Sequence, residues 1–263
     1  MQSKRDALIG YTGFVGDTIN RSDWPFAARF NSANIETMRG ERFDTVVCAG
    51  VYAEKWKANR APDADWSSIQ RLIDILDTVS ANRFVLISTI DVYPTPLNVT
   101  EDDLPPRGAG EPYGRHRLEL EYWIANKFPR HHILRLPALF GPGLKKNAIF
   151  DLLVGNLVDR INPNGVYQWY PVARIAADIR RVIDADVRLI NIAVEALRTG
   201  DIAEQLFPGV AIGSPDLPVA RYDMRTRHAA LLGGRGDYHM DASNAFAELS
   251  SYVSAVRLNG GKP

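Results

Sequence analysis

The chain has 263 residues, with 31 Lys+Arg against 31 Asp+Glu, 46% hydrophobic residues and one cysteine. A chain of this length buries roughly 70–75% of its unfolded surface, so it needs no metal or disulfide staple, and its even charge argues against a dedicated nucleic-acid binder. The lone Cys48 rules out an internal disulfide and fits a reducing cytoplasm. No run approaches the ~20 apolar residues of a membrane span, and the short apolar stretch at Ala7–Ile9 is too brief for a signal-peptide core.

Ala7–Ile9 predicts a buried strand that Gly10 ends. Residues 26–31 are the candidate second strand and residues 43–49 the third. Trp66, Ile69, Leu72, Ile73 and Leu76 recur at three and four residues, which gives a helix with one apolar face. Residues 84–89 predict a strand, Leu118, Tyr122, Trp123 and Ile124 a helix, and residues 132–136 another strand. Ile175, Ile179, Val182 and Ile183 mark a further helix, residues 189–192 a strand, and Phe246, Leu249, Val253 and Val256 a last helix. The strands are near-continuous apolar runs, as parallel strands covered on both faces require. Their alternation with helices predicts an α/β fold built on a doubly wound parallel sheet.

The first strand runs into Gly10-Tyr11-Thr12-Gly13-Phe14-Val15-Gly16, a G-x-x-G-x-x-G motif between a strand and a helix start. That context is the one a dinucleotide-binding turn needs. One glycine allows the tight turn, one lets the backbone approach a pyrophosphate, and one lets helix and strand pack closely. The competing reading is a tight turn without a ligand. The other titratable residues are less informative. The five histidines show no zinc spacing, so no metal site is expected, and Cys48 reads as packing in a buried strand.

The motif resembles that of the extended and atypical short-chain dehydrogenase/reductases. Ser88-Thr89-Ile90-Asp91-Val92-Tyr93 is similar to their S-[ST]-x-x-V-Y stretch, and Pro112-Tyr113-Gly114-Arg115-His116-Arg117 to their P-Y-G-x-[ST]-K stretch. Thr89 and Tyr113 stand 24 residues apart, which fits that pattern, and residues 134–143 resemble the family's L-R-x-x-x-x-[FY]-G-P-G. The resemblance implies a Rossmann region over residues 1–143. Residues 144–263 would then complete the sheet and form a small substrate-binding lobe. It implies Tyr113 as general acid/base and Thr89 as the hydroxyl that holds the reacting oxygen. A free tyrosine ionises near pH 10, so positive charge must tune it downward. The family places a lysine there, and this chain places Arg117, which keeps the charge but not the donor geometry. The assisting asparagine of the preceding helix is replaced, in this register, by Ser68. Two readings stay open: an active NAD(P)-dependent oxidoreductase or epimerase, and a non-catalytic NAD(P)-binding sensor or partner subunit.

The resemblance also assigns the remaining positions. Only 30 residues separate Gly16 from Val46, a compact layout similar to that of dTDP-4-dehydrorhamnose reductases. Cofactor contacts are expected from Gly10, Thr12, Gly13, Phe14, Val15 and Gly16, from Arg29, Asn31, Asn34 and Ile35, and from Ala49, Gly50, Tyr113, Arg117 and Leu136. NAD selectivity usually needs an acidic residue at the end of the second strand. Arg29, Asn31 and Ser32 stand there instead, which leans toward NADP, although Arg29 also reads as an exposed strand-end charge. Asp91, Asn147 and Arg225 are the expected substrate contacts, and the implied substrate is a nucleotide-sugar. Lys145, Lys146 and Arg227 suit either phosphate or a solvated loop. A homodimer is expected through residues 118–124 and 66–76, with neither nucleic acid nor membrane as a partner.

Overall fold

The computed structural model describes residues 5–260 and 263. The chain runs β1 (Ala7–Ile9), α1 (Phe14–Asn20), β2 (Ala28–Phe30), β3 (Arg42–Cys48), α2 (Lys55–Arg60), α3 (Pro62–Leu76), β4 (Ser80–Thr89), β5 (Leu97–Val99) and α4 (Pro112–Lys127). It continues through β6 (His131–Leu136), β7 (Ala138–Phe140), α5 (Ala148–Val154), β8 (Val166–Tyr167), β9 (Trp169–Pro171) and α6 (Ile175–Asp184). It ends with β10 (Leu189–Asn191), β11 (Leu197–Arg198), α7 (Thr199–Leu206), β12 (Asp223–Met224) and α8 (Ala242–Leu258).

Two compact units result. Of the described residues, the first holds 5–95, 101–135 and 175–190, and the second holds 96–100, 136–174, 191–260 and 263. The first is organised on a six-stranded parallel sheet in the order β10-β6-β4-β3-β1-β2. β1 pairs in parallel with both β2 and β3, Leu8 lying between Arg29 and Val47. The strand order therefore reverses at β1, and such reversals open a crevice at the carboxyl ends of the strands, where ligands bind in open α/β sheets.

Burial explains the strands. Ala7, Leu8, Val46, Val47, Phe84 and Val85 are fully buried, because both faces of a parallel sheet are covered. Pro62 and Pro112 open α3 and α4 in their first turns, where the missing N–H costs no helical bond. Ile69, Ile73 and Leu76 of α3 and Leu120 and Ile124 of α4 join one apolar core with Phe84 and Phe128, whose rings stack at 4.4 Å. Leu118, Leu120 and Ile124 of α4 are buried within this chain, and Tyr122 and Trp123 are half-buried. The second unit has its own core around Trp169 and Tyr170, with α8 laid on β9. Among the described residues no helix is long and apolar enough to cross a membrane.

Candidate active site

The glycine turn after β1 is built from three glycines with different duties. Gly10 has a φ of +84°, which glycine alone adopts freely, and a Cβ there would lie 2.4 Å from the Ala49 carbonyl oxygen. A Cβ at Gly16 would stand 1.9 Å from the Gly10 carbonyl oxygen, so helix and strand meet backbone to backbone. At Gly13 the nearest atom to such a Cβ is Gly10 O at 3.4 Å, an ordinary contact. The protein's own packing does not require glycine at 13, and the space above it is open. Gly13 caps α1 with no side-chain hydrogen bond, so its first turn keeps N–H groups without a side-chain acceptor. Thr12 is exposed, Phe14 and Val15 are half-buried, and Ala49 and Gly50 continue the rim. An open cradle of backbone donors at the central strand's end fits the pyrophosphate of a dinucleotide.

Asparagines tie the end of β2 to this turn. Asn34 Oδ1 accepts the Asn31 N–H at 2.7 Å, Asn34 Nδ2 donates to the Arg29 carbonyl at 3.0 Å, and Asn31 Nδ2 donates to the Tyr11 hydroxyl at 3.2 Å. The Arg29 guanidinium turns back to Asn20 and the Phe26 carbonyl. Ile35 is buried and opens the short turn Ile35–Met38.

Thr89 ends β4 and Tyr113 sits in the first turn of α4, both buried. They are held close because Gly114 lies against the turn after β4, where a Cβ would be 1.7 Å from the Asp91 carbonyl oxygen. Thr89 lies near enough to the Tyr113 hydroxyl to act on its ionisation. Burial pushes the Tyr113 pKa up. Arg117 pulls it down, Asp91 raises it, and Thr89 and Lys55 lower it, leaving it above the ordinary tyrosine value. The positive charge expected to tune Tyr113 downward is therefore present but outweighed by loss of water.

Arg117 is engaged elsewhere. Its Nη1 and Nη2 each donate to an Asp65 carboxylate oxygen at 3.0 Å, Nη1 also to the Tyr113 carbonyl at 2.8 Å, and Nη2 also to the Tyr52 carbonyl. The guanidinium stacks on the Tyr113 ring 3.8 Å from its centroid. Asp65 also holds His116 Nδ1 at 2.8 Å. Ser68, the expected stand-in for the assisting asparagine, is exposed on α3. Asn59 instead reaches the site, its side-chain carbonyl accepting the Tyr113 N–H at 2.9 Å.

In the second unit Asn147 caps α5. Its Oδ1 accepts the N–H groups of Ile149 and Phe150, and its Nδ2 donates to the Leu139 carbonyl. Arg225 shares its guanidinium among the Asp223 and Asp237 carboxylates and the Asn98 side chain. Leu136 is buried at the end of β6, and Lys145, Lys146 and Arg227 are exposed. A cavity of about 470 Å³ beside α7 is lined by Arg198, Glu204, Phe207 and Val210 among others, none of them an expected site residue.

A sequence model of the NAD dependent epimerase/dehydratase family matches residues 28–167. The chain belongs to that family. Solved structures share its fold at low identity. A dTDP-4-dehydrorhamnose reductase from Clostridium acetobutylicum superposes at TM-score 0.73 with 16% identity, over 96% of this chain and 99% of the other. A UDP-glucose 4-epimerase from Thermotoga maritima, solved with UDP-glucose, gives 0.72 and 14%, over 97% and 99%. RMD from Pseudomonas aeruginosa, complexed with NADPH, gives 0.67 and 19%, over 95% and 99%. A comparison with curated proteins gives no match. Membership in an NAD-dependent family accords with the open cradle at Gly13.

Sequence reading missed Asp65, His116, Asn59 and Lys55 around Tyr113. Asp65 carried a faint signal, because an arginine buried on a helix needs a carboxylate and Asp63 and Asp65 open the neighbouring helix. Lys55 and Asn59 carried none, since six mostly polar residues of α2 show no periodicity.

Proposed function

We propose that the chain is an NAD(P)-dependent oxidoreductase or epimerase that acts on a nucleotide-activated sugar, with Tyr113 as general acid/base. The observation that supports this most is the pairing of buried Tyr113 and Thr89, packed together through Gly114, at the same end of the sheet as the open glycine cradle. NAD(P) supplies hydride chemistry when bound, and the turn from Gly10 to Gly16, with Ala49 and Gly50, would hold it. Tyr113 gives its proton to a substrate carbonyl oxygen as hydride reaches the carbon. In reverse it takes the alcohol proton as hydride leaves. Thr89 bonds that same oxygen. Burial keeps Tyr113 protonated at neutral pH, the state a proton donor needs. No carboxylate stands at the end of β2 to receive a ribose 2′-hydroxyl, so the reading admits NADP beside NAD. Asp91, Asn147 and Arg225 are assigned to the substrate. The UDP-glucose held by the Thermotoga epimerase supports the substrate class.

The Asp65 fork on Arg117 favours one rival, a cofactor-binding subunit without turnover. Calorimetric titration with NADPH and NADH tests the premise that both readings share, and binding of neither sinks both. On a nucleotide-sugar that the protein turns over, Tyr113→Phe should cost ~10²–10⁴-fold in rate with cofactor affinity kept. A wild-type rate in that variant refutes the role of Tyr113. A protein that binds cofactor and converts none of a nucleotide-sugar panel supports the rival.

A further inference from the structure

Arg117 lies over the face of the Tyr113 ring, with its Cζ 3.8 Å from the ring centre, and its edges are taken by other groups. Nη1 and Nη2 each donate to one Asp65 oxygen at 3.0 Å, Nη1 also reaches the Tyr113 carbonyl at 2.8 Å, and Nη2 the Tyr52 carbonyl. A guanidinium carries all its N–H donors in its plane. A carboxylate gripped by both Nη groups therefore fixes where that plane sits and how it tilts. The carboxylate is fixed in turn. Asp65 stands in the first turn of α3, and His116 Nδ1 lies 2.8 Å from the same oxygen that Nη1 uses. The Trp66 ring backs His116, 5.4 Å away between ring centres. The side chains of Asp65, Arg117 and His116 are all at least nine-tenths buried.

We propose that Asp65 is a positioning residue for the acid–base step, anchoring the Arg117 guanidinium over the Tyr113 ring so that its charge faces the phenol. A lysine ammonium is a point charge that acts in any orientation, whereas a guanidinium meets a ring through its face. Without an anchor the guanidinium would turn to water, because a buried cation without a partner is costly and Tyr52 beside it is exposed. When Tyr113 gives its proton to a substrate oxygen, the negative charge left on the phenolate spreads into the ring under Arg117. An opposite charge at that distance favours it. The charged and titratable groups around Tyr113 come from four elements: Arg117 and His116 on α4, Asp65 on α3, Asp91 after β4 and Lys55 on α2. Of these, Arg117 is the cation that acts most strongly on the tyrosine. Asp65 opposes ionisation of Tyr113 by its own charge and favours it by holding Arg117, so its two effects have opposite signs.

The inference rests on Tyr113 as the acid/base, and its test reads the tyrosine directly in the cofactor-free protein. Placing 3,5-difluorotyrosine at position 113 gives a single ¹⁹F reporter, and its ring fluorines bring ionisation into an accessible pH range. Arg117→Met should raise the reporter's pKa by about 1–3 pH units, and an unmoved reporter there overturns the inference. Asp65→Asn keeps the shape of the side chain and removes an anion. By charge alone it would lower the pKa, and by releasing Arg117 it should raise it by about 1–2 pH units. A pKa that falls or stays put in a folded Asp65→Asn protein overturns the inference, and circular dichroism checks the fold. Should the asparagine variant not fold, Asp65→Glu keeps the charge and displaces it by one methylene. A rise in that variant supports the anchor, and no rise overturns it. In an Arg117→Met background Asp65→Asn should no longer raise the pKa, because nothing is left to position. A rise that persists there shows that Asp65 does not act through Arg117 and likewise overturns the inference. The Tyr113→Phe rate test stands apart from these titrations, so failure of one is distinguishable from failure of the other.

Discussion

Arg117→Lys restores the residue that the family resemblance expects, and it tests how the site is built. Arg117 commits four N–H contacts to three acceptor residues and lays its plane on the Tyr113 ring. Its side chain is 5% exposed and that of Asp65 7%. Lysine keeps the charge but offers its donors from one point, so it can form neither the fork nor the stack. Each hydrogen bond to a charged group contributes about 1.5–3 kcal/mol, and the ammonium retains one such contact. The expected loss is about 2–4 kcal/mol, close to but below the ~3–5 kcal/mol of a buried pair left with one partner. At roughly 2–4 °C per kcal/mol for a chain of this size, the melting temperature falls by about 4–16 °C. Thermal melts at pH 7 read this directly. Acidity supplies a second signature. Burial pushes the Asp65 carboxyl up, and the bonds and charges of Arg117 and His116 more than offset it, holding its pKa below the ordinary value. Stability from such a group is present above the unfolded pKa and is lost as pH falls through the lower folded one. The gap between wild type and variant should therefore be widest at neutral pH and narrow below about pH 4. A lysine variant that melts with the wild type, or a gap that does not narrow in acid, refutes the account of the fork.

Three further outcomes follow from other sites. Gly13→Ala should fold with the wild-type melting temperature yet lose at least about tenfold in NADPH and NADH affinity, the equivalent of ~1.4 kcal/mol. Gly16→Ala, whose Cβ meets backbone at 1.9 Å, should lose both stability and affinity, and equal behaviour of the two variants in calorimetry would contradict the division of duties. Arg135 contacts both carboxylate oxygens of Glu121 from Nε at 3.1 Å and donates to the Tyr93 hydroxyl at 2.7 Å, with both charged side chains 4% exposed. Arg135→Met should therefore cost about 3–5 kcal/mol in urea unfolding, and a midpoint unchanged from wild type would mean that the pair contributes nothing. Burial, joined by the Arg174 charge, lowers the His239 pKa to about 4. The unfolded chain thus binds the extra proton first, and stability declines as pH drops from about 6.5 toward 4, by up to ~3 kcal/mol. His239→Leu should flatten that part of the stability profile, and an unaltered slope would show that His239 is not its source.

Hydrophobic runs and their spacing were enough to place the main elements. Ala7–Ile9 forms the predicted strand, the strands expected at 43–49, 84–89, 132–136 and 189–192 appear with shifted ends, and α3, α4, α6 and α8 lie on the predicted periods. These signals are legible because burial on both faces of a parallel sheet, or on one face of a helix, forces apolar residues into fixed positions along the chain. Gly10 and Gly16 were legible for a related reason, since a backbone approach that a Cβ would block leaves a glycine behind. Helix α2 was not legible: its residues are mostly polar, and it stands where it does because Asn59 and Lys55 bond groups 54 and 36 residues away. The role of Arg117 was hidden in the same way. By sequence it occupies a lysine's place beside Tyr113, and only the tertiary structure, by burying Asp65 within reach of its fork, pairs that charge with a carboxylate while its plane stays on the Tyr113 ring. Local pattern records which side of an element meets the core. Which charges meet each other inside is decided by contacts between distant segments, where the loss of water makes an unpaired ion too costly to leave alone.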